Sequence, residues 1–379
     1  MKVLINATSF GARPSGARNR FESIYPLLFR AQPGIAFTLL VSKDFALPPT
    51  VQVLGNVRAI QLPIKSSNKI LRRLFFAVLP LISVVVQRFD VIEDLSQPPT
   101  LLRTKNRFLT IHDIRRLEIS SSWVSRFAYG LSLGLSRLFG YKIITVSTTM
   151  AKRLACHYPS SMISVIENSV PAHFLQHFAR VDYVVGTVLP SVTGRYILAV
   201  GHIEVRKNYE RLIQAFRQLT ETHDDLRLII VGKDNGSAED VRKLIARLGL
   251  KSRVDLLTDI SDTNLVTLYS SACALVFPSF YEGFGIPLLE AMATSCPMAI
   301  SDIDVFREIA GDTALYFDPH DINDMRSAID KLLASPDLCS TLTTKGKAQL
   351  EKFRASELAE KLGALYQETA SHDGLQVDA

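Results

Sequence analysis

Two stretches in the second half of the chain hold residue types that could do chemistry. The first is Gly201-His202-Ile203-Glu204-Val205-Arg206-Lys207-Asn208, just past the strand-like run Tyr196–Val200. Adjacent cations at a strand's carboxyl end can neutralise a diphosphate. Arg206 would do so through charge-assisted hydrogen bonds and Lys207 as a point charge. An isolated Arg-Lys pair also fits a solvated loop. The second stretch runs from Pro278 through Glu282-Gly283-Phe284-Gly285-Ile286-Pro287 to Glu290 and follows the apolar run Ala274–Phe277. Beyond Gly285, the residues Ile286, Leu289, Met292 and Ala293 recur at helical spacing, and Pro287 suits a helix's first turn. Gly283 and Gly285 let backbone approach a ligand closely, and the helix start behind them offers N–H groups to an anion. Glu282 falls at the strand's carboxyl end, where open α/β sheets bind ligands, and Glu290 lies inside the helix. As a bare pattern this also fits a βα turn with two solvated glutamates.

The elements around these stretches alternate. Strand-like runs at Val3–Ile5, Phe37–Val41, Val57–Leu62, Asp90–Leu95, Phe108–Ile111 and Lys142–Val146 are separated in several places by helical patterns, the first at Asn19–Phe29. A second alternation has strands at Tyr196–Val200, Arg227–Val231, Val254–Leu257, Ala274–Phe277, Pro297–Ile300 and Ala314–Phe317. Its helices are expected at Tyr209–Leu219, Ala238–Leu248, Asp262–Ser270 and Gly285–Ala293. Such alternation argues parallel sheets covered by helices on both faces. The chain therefore reads as two α/β domains of similar size with the ligand site expected in a cleft between strand ends. The limits are residues 1–175, a linker at 176–194 and a second domain at 195–355. Three further helices are expected at Asp321–Ala334, Leu338–Phe353 and Ser356–Thr369, and Ser371–Ala379 reads as a frayed end.

Composition narrows the classes. The chain has 379 residues, 47% hydrophobic and 21% charged, with a formal net charge of +6. That suits well-filled cores and excludes wholesale disorder. The charge is spread out and accompanied by no nucleic-acid motif, so no nucleic acid is expected as a partner. The four cysteines are scattered and form no C-x-x-C pair, which argues against a disulfide framework or a zinc site and for a reducing compartment. No signal-peptide h-region opens the chain. The most apolar stretch, Leu74–Val86, contains Pro80 and falls short of the ~20 residues needed to span a bilayer. Within Lys65–Arg88, basic residues flank Leu74, Phe75, Phe76, Val78 and Leu79. This is either a buried helix with solvated ends or a patch at a membrane surface.

Tyr281-Glu282-Gly283-Phe284-Gly285-Ile286-Pro287, with Glu290-Ala291-Met292-Ala293, resembles the signature of retaining GT-B glycosyltransferases of family 4. Arg206-Lys207-Asn208 followed by Leu212-Ile213-Gln214-Ala215-Phe216 is similar to a second motif of that family. The resemblance touches most of the chain and is strongest in the second domain. It implies a GT-B fold, two Rossmann-like domains facing each other across a deep cleft. The segment 356–379 would then pack back on the N-terminal, acceptor-side domain, leaving 195–355 as the nucleotide-sugar-binding domain. It also implies transfer of a hexose, mannose or a related sugar carried by GDP, from a nucleotide diphosphate donor to a growing saccharide or lipid-linked saccharide. No metal or other cofactor is expected, and the place of work would be the cytoplasm, peripheral at the inner face of the cell membrane.

Residue by residue, the resemblance gives Glu282 the donor sugar hydroxyls, together with Gly283, Phe284, Gly285 and Ile286, and Glu290 the nucleotide ribose. Arg206 and Lys207 take the diphosphate. Gly232 and Lys233, after Arg227–Val231, and Asp259 and Ile260, after Val254–Leu257, resemble segments lining the nucleotide pocket. In the first domain, Thr110-Ile111-His112-Asp113 is similar to a family segment whose histidine reaches the donor sugar, so His112 joins Glu282 as a candidate catalytic residue. Gly16 resembles the family's N-terminal glycine near sugar and phosphate. Here Ala17 and Arg18 follow it in place of a second glycine, and Arg18 would be either a third phosphate ligand or an acceptor contact. Two other readings stay open: a GT-B-like nucleotide-sugar epimerase, and a non-catalytic sugar-nucleotide-binding subunit.

Overall fold

A computed structural model describes residues 1–11, 15–68, 71, 74, 89–100, 104, 106–119, 122–178 and 194–372. The loop residues 12–14, most of the expected linker, most of the stretch 65–88 and the end from 373 lie outside the described residues. The chain divides into two units, Met1–Ser169 with Arg354–Ala379, and Val170–Phe353.

The first unit carries β1 (Lys2–Ala7), β2 (Ala36–Val41), β3 (Val57–Gln61), β4 (Val91–Asp94), β5 (Asn106–Ile111), β6 (Lys142–Thr145) and β7 (Ile163–Val165). They form one sheet in the order β3-β2-β1-β4-β5-β6-β7, with every pairing parallel. Runs such as Val3-Leu4-Ile5 are apolar without alternation because a covered parallel sheet buries both faces. The helix Gly16–Ala31 starts at Ser15, whose hydroxyl accepts from the Arg18 N–H. Its Phe21, Ile24, Tyr25, Leu28 and Phe29 are buried at helical spacing. Against it packs the last helix, Ala355–His372. Tyr366 of that helix donates to the fully buried carboxylate of Glu93. Glu93 also accepts from Tyr25 Oη at 2.8 and 2.9 Å and from Thr110 Oγ1 at 2.6 Å. Three hydroxyl donors satisfy a carboxylate that would otherwise be costly to bury.

The second unit carries β8 (Tyr196–Val200), β9 (Arg227–Val231), β10 (Val254–Leu257), β11 (Ala274–Phe277), β12 (Met298–Ser301) and β13 (Leu315–Phe317). Their order is β10-β9-β8-β11-β12-β13, again all parallel. The helix Tyr209–Leu219 buries Tyr209, Leu212, Ile213, Phe216 and Leu219 against the sheet.

The expected limit at residue 175 needs correction. It falls inside the helix Ala172–Phe178, which belongs to the second unit. Phe174 is fully buried, with its ring 5.5 Å from that of Tyr269, so packing draws the chain across at Val170. The short β7 also went unread, since three residues are too few to show a period.

Candidate active site

In each unit the strand order reverses beside the first strand, between β1 and β4 and between β8 and β11. Such switch points are where doubly wound sheets leave room for ligands at the carboxyl ends of strands. In the second unit both chemistry-bearing loops leave those two strands.

The loop after β8 ends in a single turn, Val205–Lys207, and then Asn208 in the left-handed region at φ 59°. Asn208 holds that turn by donating from Nδ2 to the carbonyls of Pro278 and Pro319, at 3.0 and 2.8 Å. The loop after β11 lies against it, with the Phe280 N–H donating to the Arg206 carbonyl at 2.9 Å. This brings three predicted residues together. Glu282 Oε1 lies 2.6 Å from Arg206 Nη1 and 2.7 Å from Lys207 Nζ. Ser279 Oγ donates to the same oxygen at 2.9 Å, and Arg206 Nε lies 2.7 Å from Glu204 Oε1. Lys207 Nζ also stands 4.5 Å from the centre of the Phe277 ring. Burial works to raise the Glu282 carboxyl, but Lys207 and Arg206 outweigh it and hold the group below the ordinary carboxylate range.

Two carboxylates, Glu282 and Glu204, balance the two cations. Glycine is required around this cluster. A Cβ on Gly232, just past β9, would stand 1.9 Å from the Gly201 carbonyl oxygen. Gly201 has φ 144°, and a Cβ there would meet Lys207 Nζ at 2.8 Å.

Gly285 caps the helix Ile286–Ala293 at φ 106°, a backbone state that favours glycine. Gly283 and Phe284 are buried, Ile286 is half-buried, and the Phe284 ring packs edge-on to Phe353 at 5.8 Å. Phe284 thus offers a ligand backbone, not its ring. Glu290 is buried on this helix and accepts from Tyr269 Oη at 2.7 Å, and burial pushes its carboxyl up to about 7. Lys233 and Asp259, after β9 and β10, pair at 2.6 Å with both side chains partly exposed, and Ile260 follows half-buried.

In the first unit His112 follows β5 and is half-buried. Burial, reinforced by the Arg20 charge, lowers its imidazole to about 3, which keeps it neutral near pH 7. Gly16 opens the first helix, exposed. Arg18, expected as a third phosphate ligand or an acceptor contact, is engaged within the first unit. Its Nε is 2.7 Å from Glu22 Oε1, its Nη1 donates to the Gly11 carbonyl at 3.0 Å, and its guanidinium lies over Phe45. A partner one helical turn along is the nearer satisfaction for an arginine in a first turn.

Sequence reading missed Glu204, Ser279 and Tyr269. Ser279 is three residues before Glu282 and donates to it in the loop after β11. Tyr269 carries no local signal, since it meets Glu290 only after folding.

Two parallel doubly wound units make this the GT-B fold of glycosyltransferases. The Anabaena protein HepE in complex with UDP-glucose superposes with a TM-score of 0.72 at 18% identity, over 98% of this chain and 100% of that one. Residues 188–349, which fall in the second unit, match the family model for glycosyl transferases group 1. O-antigen chain mannosyltransferase RfbU of Salmonella typhimurium (strain LT2) is 34% identical over 244 residues, 64% of this chain and 65% of that protein. O-antigen chain mannosyltransferase B of Escherichia coli is 34% identical over 159 residues, 42% of each chain. The matched region thus spans less than two thirds of either relative's length.

Proposed function

We propose that the protein is a retaining glycosyltransferase that moves a hexose, mannose by preference, from a nucleoside diphosphate donor to a growing saccharide or lipid-linked saccharide. The observation that carries this is the Arg206–Lys207–Glu282 cluster at the β8/β11 switch point of a group 1 domain. Mannose is favoured by the two mannosyltransferase relatives, and GDP as carrier by the motif resemblance.

In this reading the donor diphosphate shares the two cations, which stabilise the charge that develops as it leaves. Glu282 and the backbone of Gly283 to Ile286 hold the sugar hydroxyls. Glu290 takes the ribose, and Gly232, Lys233, Asp259 and Ile260 border the nucleotide. The acceptor oxygen forms its bond to the anomeric carbon on the face from which the diphosphate departs. The bond to the diphosphate breaks, and the diphosphate carries off the acceptor's proton. Neutral His112 can give a hydrogen bond to the sugar without adding charge. Gly16 and Arg18 border the donor phosphate or the acceptor, and work at the inner face of a cell membrane, through residues 65–88, belongs to the same proposal.

The test is a panel of nucleotide sugars scored by thermal shift, then by turnover with saccharide acceptors. GDP-mannose at 100 times its dissociation constant should stabilise the fold by about 2.7 kcal/mol. Stabilisation by another sugar nucleotide alone would replace the donor. Donor consumption without an acceptor would favour an epimerase, and binding with no turnover on any acceptor a non-catalytic subunit.

A further inference from the structure

Glu93 and Glu290 are both buried, yet they are satisfied to different degrees. Glu93, in the first unit, is saturated. Tyr25 donates to both of its oxygens, Thr110 to Oε1 and Tyr366 to Oε2. Glu290 is 5% exposed on the helix Ile286–Ala293 and takes a single side-chain donor, Tyr269 Oη, at 2.7 Å on Oε2. No hydrogen bond among the described residues engages its Oε1. A buried acceptor left unmet costs free energy, so a carboxylate with a purely structural role is expected to be satisfied as Glu93 is. A buried carboxylate with one oxygen held and the other open is completed by an incoming hydroxyl donor.

Tyr269 is itself fixed. It is fully buried in the last turn of the helix Asp262–Ser271. The ring of Phe174, from the helix Ala172–Phe178, meets its ring edge-on at 5.5 Å. The preceding residue, His173, places Nδ1 3.6 Å from the Asp262 carboxylate at the other end of Tyr269's helix. Two successive residues thus hold one helix against both ends of the other. Burial raises the Tyr269 hydroxyl well above its ordinary value, so it keeps its proton and is the donor to Glu290. A packed tyrosine has few torsions left to lose, so its hydroxyl can hold a flexible glutamate in one rotamer.

We propose that Tyr269 is a positioning residue for nucleotide recognition. By holding Oε2 of Glu290 it leaves Oε1 to accept from the ribose hydroxyls, and Phe174 holds Tyr269 in turn. The proposal rests on the reading of Glu290 as the ribose contact and deepens it. Selection of ribose over a sugar without its hydroxyls then depends on a phenol carried by a neighbouring helix.

Calorimetry with GDP and UDP, each beside its 2′,3′-dideoxy form, separates the roles. It is run at pH 8, above the value of about 7 to which burial raises Glu290. In the parent, the diphosphate that binds should lose at least about tenfold in affinity without its ribose hydroxyls. Tyr269→Phe removes one oxygen. It should weaken the ribonucleotide about tenfold and leave the dideoxy form within about twofold. Donor KM should rise with kcat kept, because ribose is bound alike in ground and transition states. Glu290→Ala should abolish the preference for ribose, and Tyr269→Phe added to it should change nothing further. Thermal unfolding checks that each variant is folded. A Tyr269→Phe protein that keeps the full ribose preference, or loses both forms equally, would overturn the role of Tyr269 alone. A preference that survives Glu290→Ala, or a parent that binds neither diphosphate, would overturn the ribose reading and the proposal with it.

Discussion

Replacing Glu282 by glutamine keeps the side chain's shape and removes the charge that two cations share. Arg206 Nη1 and Lys207 Nζ lie 2.6 and 2.7 Å from one carboxylate oxygen, and the Lys207 and Glu282 side chains are only 7% and 11% exposed. Breaking a buried pair from one side costs ~3–5 kcal/mol, because the remaining charge loses its partner. Glutamine still offers an acceptor oxygen, which places the expected loss near 3 kcal/mol. For a unit of this size each kcal/mol moves the midpoint by ~2–4 °C, so the variant should melt roughly 6–12 °C lower. Nucleoside diphosphate should then stabilise the variant more than the parent, since the diphosphate supplies the anion the cations lack. On the proposed role of Glu282 at the donor sugar, turnover should fall more than donor affinity. The pH dependence has a definite sign. The Glu282 carboxyl is held below its ordinary value, so its contribution is present above the ordinary range and lost as pH falls through the lowered one. The gap between parent and variant should therefore close at acid pH. Thermal unfolding with and without GDP and UDP, repeated from pH 3 to 8, measures all of this. A ligand-free variant melting within about 2 °C of the parent at pH 7, or binding diphosphate more weakly, would refute the reasoning.

Glu290 should show the opposite pH sign. Burial raises its carboxyl from 4.5 to about 7, so the folded chain holds a proton that the unfolded chain releases. The second unit should lose up to about 3 kcal/mol as pH rises across that window, and Glu290→Gln should flatten the trend in urea midpoints. Gly232→Ala places a methyl 1.9 Å from the Gly201 oxygen, and should cost at least about 3 kcal/mol by displacing backbone, with nucleotide affinity lost alongside in calorimetry. Tyr366→Phe removes one donor from buried Glu93. It should destabilise the first unit by about 1.5–3 kcal/mol, read as a lower urea midpoint with nucleotide affinity unchanged.

The legible parts were those fixed by local pattern. Tyr196–Val200, Arg227–Val231 and Ala274–Phe277 read as buried strands from unbroken apolar runs between turn residues, and they fold over those same bounds. Arg206, Lys207 and Glu282 were legible as loop residues converging at the strand ends of one sheet, but their direct ion pairing was not. It depends on β8 lying beside β11, a pairing between strands about 75 residues apart that neither loop's own sequence specifies. The same gap explains why the pairing of Lys207 with Glu282 went unread. A cation's availability depends on which carboxylate the sheet brings to it, and here that is Glu282. The helix Trp123–Leu138 shows the limit from the other side. Periodicity reports that apolar residues share a face, and in most helices that face is buried. Here Trp123, Phe127 and Leu131 share an exposed face, while the buried residues on the helix are Leu133 and Ser136. A sequence pattern thus locates a stripe without saying what will cover it. That covering decides whether an apolar stripe becomes core or stays exposed.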